Sequence, residues 1–166
     1  MAVIKTRFLK KNEVTSLTDE VRYFPDLIYV SEHIWEKRKV HILEVNNRLA
    51  GVVVVYRFSS WVKLGPLVVL EKYQGKGLGK KLFKYAINRY KKSNILISST
   101  NSKVGKIASL YGFKDIGGFI SLPLTVKFFL LKQLFEYLRL KTIFEALRKR
   151  LAGRRGKRLY FIKFST

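Results

Sequence analysis

The 166-residue chain contains no cysteine. That absence excludes disulfides, thiolate metal sites and a cysteine nucleophile together. Histidine is almost missing as well: with only His33 and His41, a histidine-rich metal centre is not expected. Acidic residues are scarce, 11 Asp and Glu against 34 Lys and Arg, for a formal charge of +23. No uninterrupted apolar run reaches the roughly 18 residues that a membrane-spanning helix needs. The start, Met1-Ala2-Val3-Ile4-Lys5-Thr6-Arg7, has no apolar core of signal-peptide length, so the expected location is cytoplasmic.

What remains is the composition of a folded domain. Hydrophobic residues make up 48% of the chain and aromatics 14%, too much for a disordered polypeptide. At this length a single domain over residues 1–166 can bury a real core. The charge excess is the unusual property. It repels itself unless a polyanion or an anionic surface screens it.

Read in order, residues 4–9 suggest a short strand. Thr18 to Phe24 suggests a helix or turn stopping at Pro25, and Asp26 to Lys37 a second helix with Asp26, Glu32 and Glu36 on its solvated side. Val40 to Val45 reads as a strand, Asn46-Asn47-Arg48 as a tight turn, and Leu49 to Phe58 as a β-branched strand. One of these two strands should be half-exposed and the other buried, with His41 a packing or surface residue. Trp61 to Val69 is a fourth strand. Its Gly65-Pro66 pair calls for a bulge, because Pro66 has no N–H for the ladder.

The most informative stretch follows. The apolar run Leu67-Val68-Val69-Leu70 ends at Glu71, and Gly75, Gly77 and Gly79 then alternate with other residues. After them Leu82, Phe83, Ala86, Ile87 and Tyr90 recur at helical spacing as far as about Lys92. Strand, glycine-rich turn and helix in that order present unpaired N–H groups at the positive end of a helix dipole. Phosphate oxygens suit such a place. A P-loop is excluded, since no Ser or Thr follows Gly79-Lys80, and the alternating glycines do not fit the dinucleotide pattern Gly-x-Gly-x-x-Gly.

The segment Gln74-Gly75-Lys76-Gly77-Leu78-Gly79 instead resembles the signature of the GNAT superfamily of N-acetyltransferases, Gln/Arg-x-x-Gly-x-Gly/Ala. A second landmark has the same order as in that family. Asn94 to Thr100 reads as a strand, Asn101-Ser102 caps a helix over 103–111, and Gly112-Phe113 opens a strand to Gly117. The resemblance covers about Val40 to Gly117. It implies a mixed α/β fold with a mostly antiparallel central sheet, splayed fourth and fifth strands, and helices on both faces. It implies acetyl-CoA as co-substrate, with no metal, and acetyl transfer to a primary amine by direct attack in a ternary complex. By the same resemblance Leu67, Val68 and Val69 would pair with the pantetheine arm. The loop Gln74, Gly75, Lys76, Gly77, Leu78, Gly79 and Lys80 would hold the pyrophosphate, and Asn101 would also contact the cofactor.

The sequence departs from the family at two catalytic places. Ala108 stands where a tyrosine is usual, seven residues after Asn101, and Leu96 replaces a glutamate that some members carry on the fifth strand. Tyr111, one turn further on, is the candidate general acid, with packing beside Phe113 as its other reading. Glu44 and Glu71 are the nearest strand-associated acids, and both are expected at the surface. Water relayed by backbone carbonyls is the other source of a base. These departures keep a second reading open, a catalytically silent module binding CoA or a polyanion.

The C-terminal third departs in another way. Residues 124–156 carry Leu131, Leu134, Phe135, Leu138, Ile143, Phe144, Leu147 and Leu151 at helical spacing among many Lys and Arg, and residues 159–164 alternate as a closing strand. This is a basic helical insertion before the last strand. It can pack on the domain, form a homodimer contact, lie peripherally on an anionic membrane, or sit on nucleic acid. No base-reading module is present, and Phe and Leu dominate the apolar side, which favours a membrane surface. The amine acceptor is not specified by any of these residues.

Overall fold

The computed structural model describes residues 1–24, 32–36, 38–137, 147 and 158–165. In chain order the elements are β1 (Ala2–Arg7), α1 (Lys11–Tyr23), α2 (Glu32–Glu36), β2 (Val40–Val45), β3 (Arg48–Phe58) and β4 (Trp61–Val69). Then come α3 (Leu78–Arg89), β5 (Asn94–Ser99), α4 (Ser102–Leu110), β6 (Lys114–Asp115), α5 (Leu124–Tyr137) and β7 (Leu159–Lys163). Seven strands form one sheet in the order β1-β2-β3-β4-β5-β7-β6. Every neighbouring pair is antiparallel except β4 with β5.

Strand side chains alternate between two helical layers. Ile42, Val52, Val54, Tyr56 and Val68 face Val14, Leu17 and Val21 of α1 and Trp35 of α2. Leu43, Val53, Val62, Leu64, Ile95 and Ile97 face Leu82, Phe83, Ala86 and Ile87 of α3 and Ala108 of α4. Val126 of α5 joins Trp61, Leu96 and Ile162 on the α1 side of the sheet. Burying each such aliphatic side chain is worth roughly 1.5–3 kcal/mol, so the two layers together hold the sheet between them.

Several boundaries differ from the sequence reading. The first strand begins two residues earlier, at Ala2, and pairs with β2 from Ala2↔Val45 to Arg7↔Val40. The first helix begins at Lys11, not Thr18. The Lys10 N–H donates to the Glu13 carboxylate at 2.7 Å and closes the first turn, while Val14, Leu17 and Val21 line up beneath it. Both β2 and β3 are buried, because helices cover both faces and β1 covers the outer edge. α3 ends at Arg89, and β6 is only two residues long. Of the second helix expected over 26–37, only α2 falls among the described residues.

The insertion begins as expected with a helix. Val126, Phe129, Leu130 and Gln133 of α5 face the sheet, whereas Phe128, Leu131, Leu134 and Phe135 are exposed. The rest of the insertion lies outside the described residues, apart from the exposed, helical Leu147.

Gly105 of α4 packs closely against Phe161 of the last strand. A Cβ built there would stand 2.8 Å from Phe161 Cζ and 3.3 Å from Cε1, in a closed core. Gly105→Val is therefore expected to cost about 1–3 kcal/mol through overpacking. Thermal melts should show a clear drop for it, and none for Gly118→Ala, whose Cβ meets nothing within 4 Å.

Candidate active site

The site begins where β4 leaves β5. The two strands pair in parallel from Trp61↔Asn94 to Leu64↔Ile97 and no further, although β4 runs on to Val69 and β5 to Ser99. On its other edge β4 stays with β3, with a one-residue offset: Val55 faces Leu64 while Val53 faces Leu67. Gly65 and Pro66 absorb that extra residue, Gly65 at φ +124°, a value open to glycine. Beyond it Leu67, Val68 and Val69 keep only β3 as a partner. A gap therefore opens inside the sheet beside backbone that has one free edge.

Close β3–β4 pairing at this place also depends on a residue that sequence reasoning passed over. A Cβ at Gly51 would stand 2.9 Å from Val68 O, so nothing larger fits without moving the strand. An isolated glycine inside the strand, just before a run of four valines, was the available signal.

The loop after β4 is held by short contacts. Tyr73 N–H donates to Leu70 O at 2.8 Å, and Gln74 N–H to Glu71 O at 3.0 Å. The Gln74 side-chain amide donates back to Val69 O at 2.9 Å. This latches the loop to the strand end. Gly75 and Gly77 then take φ of +74° and +70°, and Gly77 is the N-cap of α3. The first bond of the helix runs from Lys81 N–H to Gly77 O, so the amides of Leu78, Gly79 and Lys80 precede the ladder. Nothing lies within 4 Å of a Cβ built on Gly75 or Gly77, and the loop from Gln74 to Gly77 is exposed. Gly79 rests 3.5 Å from Val69 Cγ2, which sets the start of α3 against the mouth of the gap.

Asn101 stands after β5 on the opposite lip. Its side-chain oxygen accepts from Lys103 N–H at 2.9 Å and caps α4. Ala108, in the position of the missing tyrosine, is completely buried in the α3–α4 core. Tyr111 lies past the end of that helix. Its ring meets Phe83 edge-on at 5.7 Å, and its carbonyl accepts from the Lys163 ammonium at 2.8 Å. The structure thus brings together Leu67, Val68, Val69, Gln74, Gly75, Lys76, Gly77, Leu78, Gly79 and Lys80 at the β4 end of the gap. Tyr111 sits at the far end of α4 from Asn101.

Neither candidate acid is placed as a ready base. Glu44 is not at the surface: it is nearly buried and binds Lys5 at 2.7 Å and Arg7 at 2.9 Å. Those two cations hold its carboxyl below the usual range. Glu71 is exposed, and its N–H is bonded to the Glu20 carboxylate. His41 is buried, with Nδ1 against Thr6 Oγ1 at 2.7 Å and Nε2 against Tyr90 Oη at 2.8 Å. Burial, then the charges of Arg89 and Arg57, push its pKa down, so it is a neutral packing residue.

Sequence reasoning missed one charged group altogether. Lys63 of β4 is buried on the α5 side and donates to Gln133 Oε1. Burial, and secondarily the charge of Arg158, push its pKa down to about 7. The strand pattern gave no warning, because a lysine in an alternating strand usually marks the solvent side.

A scan against family models matches residues 16–118 to the acetyltransferase (GNAT) domain. The chain belongs to the GNAT acetyltransferase family. No curated protein matches it. Among solved structures it is similar in fold to Rv2747 from Mycobacterium tuberculosis in complex with CoA, at TM-score 0.68, 11% identity and 99% of each chain covered. It is similar also to N-acetylglutamate synthase from Neisseria gonorrhoeae complexed with coenzyme A and N-acetyl-glutamate, at TM-score 0.64 and 19% identity, over 100% of this chain and 36% of that one. The ribosomal-protein-S18-alanine N-acetyltransferase from Escherichia coli matches at TM-score 0.57 and 17% identity, over 69% of this chain and 79% of that one. Among the described residues no helix is long and apolar enough to cross a membrane, and no three His, Cys, Asp or Glu cluster as metal ligands.

Lys63 has a measurable consequence for stability. Its folded pKa lies below the unfolded value of about 10.4, so between about pH 7 and pH 10 the unfolded chain holds a proton that the folded chain lacks. Stability from this group is fully present above the unfolded value and is lost as pH falls toward about 7. Urea unfolding of the wild type should gain relative to Lys63→Met between about pH 7.5 and 9.5, by no more than ~1.4 kcal/mol per pH unit, the ceiling for one proton. Parallel pH profiles for the two proteins would contradict it.

Proposed function

We propose that the protein is an acetyl-CoA-dependent N-acetyltransferase that moves the acetyl group to a primary amine by direct attack in a ternary complex. The observation that carries this reading is the gap between β4 and β5 with the amide-rich loop at its mouth. The free edge of Leu67, Val68 and Val69 suits the pantetheine arm, which carries amides and can add to the sheet as a short strand. The amides of Leu78, Gly79 and Lys80 that precede the helical ladder, behind the exposed loop from Gly75 to Gly77, suit the pyrophosphate, with Lys76 and Lys80 adding charge. Asn101 lies on the other lip, with its side-chain oxygen committed to the α4 cap.

In the reaction the neutral amine nitrogen attacks the thioester carbonyl carbon. The N–C bond forms, the C–S bond breaks, and the electron pair leaves on sulfur. A backbone N–H at the bulge polarises the carbonyl oxygen as charge develops on it. The ammonium proton departs through water held by strand carbonyls at the gap, since Glu44 is tied to cations and His41 to Thr6 and Tyr90. Holding both reactants together supplies much of the barrier reduction in such a site.

Two measurements test this. Calorimetry with acetyl-CoA should show stoichiometric binding that Gly77→Val weakens by about tenfold or more, because a β-branched residue at positive φ pulls the loop amides out of place. Equal binding by the variant would remove the loop from the site. Tyr111→Phe keeps the ring against Phe83, and kcat in a free-thiol release assay should fall less than about threefold. A drop of about a hundredfold with unchanged KM for acetyl-CoA would instead make its hydroxyl the proton donor to sulfur. Acetyl-CoA binding without turnover on a broad amine panel would favour the silent module.

A further inference from the structure

The sheet face opposite α3 holds polar groups that acetyl-CoA does not account for. Lys63 rises from β4 one residue before pairing with β5 ends, and it is only 9% exposed. Its ammonium donates to Gln133 Oε1 and stands 5.3 Å from the centre of the Tyr56 ring. Arg38 covers the same ring, with Cζ 4.5 Å from its centre. Two cations thus share one aromatic ring. Among the described residues no carboxylate lies within ion-pair distance of either.

The orphaned atoms in this region are all of one kind. Four buried side-chain atoms of the described residues have no hydrogen-bond partner. Gln133 Nε2 belongs to the partner of Lys63 and Arg38 Nε to the residue over Tyr56, and Trp35 Nε1 comes from the same core cluster as Tyr56. All three are donors. Lys63 adds further N–H groups beyond the one given to Gln133. A water molecule would have to donate as well as accept, and it neutralises nothing. A group with several lone pairs, no proton and a negative charge fits every requirement at once.

Position ties the group to the reaction. Val62 and Leu64 point into the α3 core, so Lys63 between them points the other way. The loop amides belong to the start of α3, on one side of the sheet, and Lys63 reaches out on the other at the vertex of the gap. Lys63 therefore stands next to the last paired position of β4 and β5, on the face of the sheet away from α3.

We infer that Arg38, Lys63 and Gln133 around Tyr56 form a carboxylate-binding subsite, and that the acceptor is an amine that also bears a carboxylate. This rests on the acetyl-transfer reading above and narrows its acceptor. On binding, the carboxylate replaces Gln133 Oε1 as the partner of the Lys63 ammonium. Among the described residues the other titratable or charged groups near Lys63 are Arg38, Tyr56 and Arg158, none of which supplies a carboxylate. Lys63 is charged below about pH 7 and neutral above, so affinity falls as the pH rises past that value.

The test uses the full chain without acetyl-CoA, so its result is independent of cofactor binding. Only two tryptophans are present, and the Trp35 indole N–H, identified with Trp35→Phe, is a resolved reporter in a nitrogen–proton correlation spectrum. Glycine, alanine, leucine, phenylalanine and lysine are titrated, each beside the amine left by decarboxylation, with inorganic phosphate as a further arm. At least one amino acid should shift the Trp35 signal saturably, with its amine needing about tenfold more or failing outright. Lys63→Met, which keeps the apolar volume, and Gln133→Glu, which supplies an internal carboxylate, should each abolish the shift. No shift from any amino acid, equal shifts from acid and amine, saturable shifts in both variants, or a response to phosphate alone would each overturn the subsite. Calorimetry with acetyl-CoA would then still stand or fall by itself.

Discussion

The arrangement depends on β4 having two neighbours below Leu64 and one above it. A strand inside a sheet normally satisfies both edges, and an open edge in the middle of a domain exposes backbone donors and acceptors. Here the one-residue offset at Gly65 and Pro66 turns the strand so that it follows β3 and abandons β5. The flanking strands keep their other neighbours, β5 pairing with β7 and β3 with β2. The opening is thus local. It costs a few ladder bonds at the place where, on the proposed function, the amides of a pantetheine arm supply them.

The loop and helix that follow are consequences of the same geometry. Val69 ends its strand with a free carbonyl, and Gln74 reaches back to occupy it. This bond fixes where Gly75 begins, and two left-handed glycines then bring the chain into α3. Had the turn been made by ordinary residues, side chains would occupy the space above the amides. The glycines serve here by what they leave empty, as the open surroundings of Gly75 and Gly77 show.

The legible parts of the sequence were those where residue type and position make the same demand. Gly65-Pro66, the alternating glycines and the Asn101 cap each announce a backbone event, and each stands where the pattern put it. α1 was only half legible, because its three buried apolar residues are spread over two turns of polar sequence and its first turn is closed by a lysine backbone and a glutamate. Glu44 and Lys63 were illegible for a different reason. Both are charged residues on strands whose neighbours alternate, and only the covering layer decides that they are inside. For Glu44 the cover is Lys5 and Arg7 from β1; for Lys63 it is α5, from the part of the chain that the family pattern does not include.

The charge excess connects these observations. The acids that make short ion pairs, Glu13 and Glu44, are consumed by Arg7 and Lys5 at the β1 edge. None is left on the loop and first turns of α3, where Lys76, Lys80, Lys81 and Lys84 stand without a counter-charge in sequence. A surface of this kind raises the local concentration of anions and speeds their encounter, in a manner that salt screens. Screening does not reach Lys63, which is out of water. Exposed lysines can attract a polyphosphate from a distance while discriminating little between anions. A buried cation with orphaned donors beside it does the opposite, gaining nothing at long range and accepting only a group that satisfies all of them together. In the proposed carboxylate subsite the same excess of positive charge, an attraction on one side of the sheet, becomes a selection on the other.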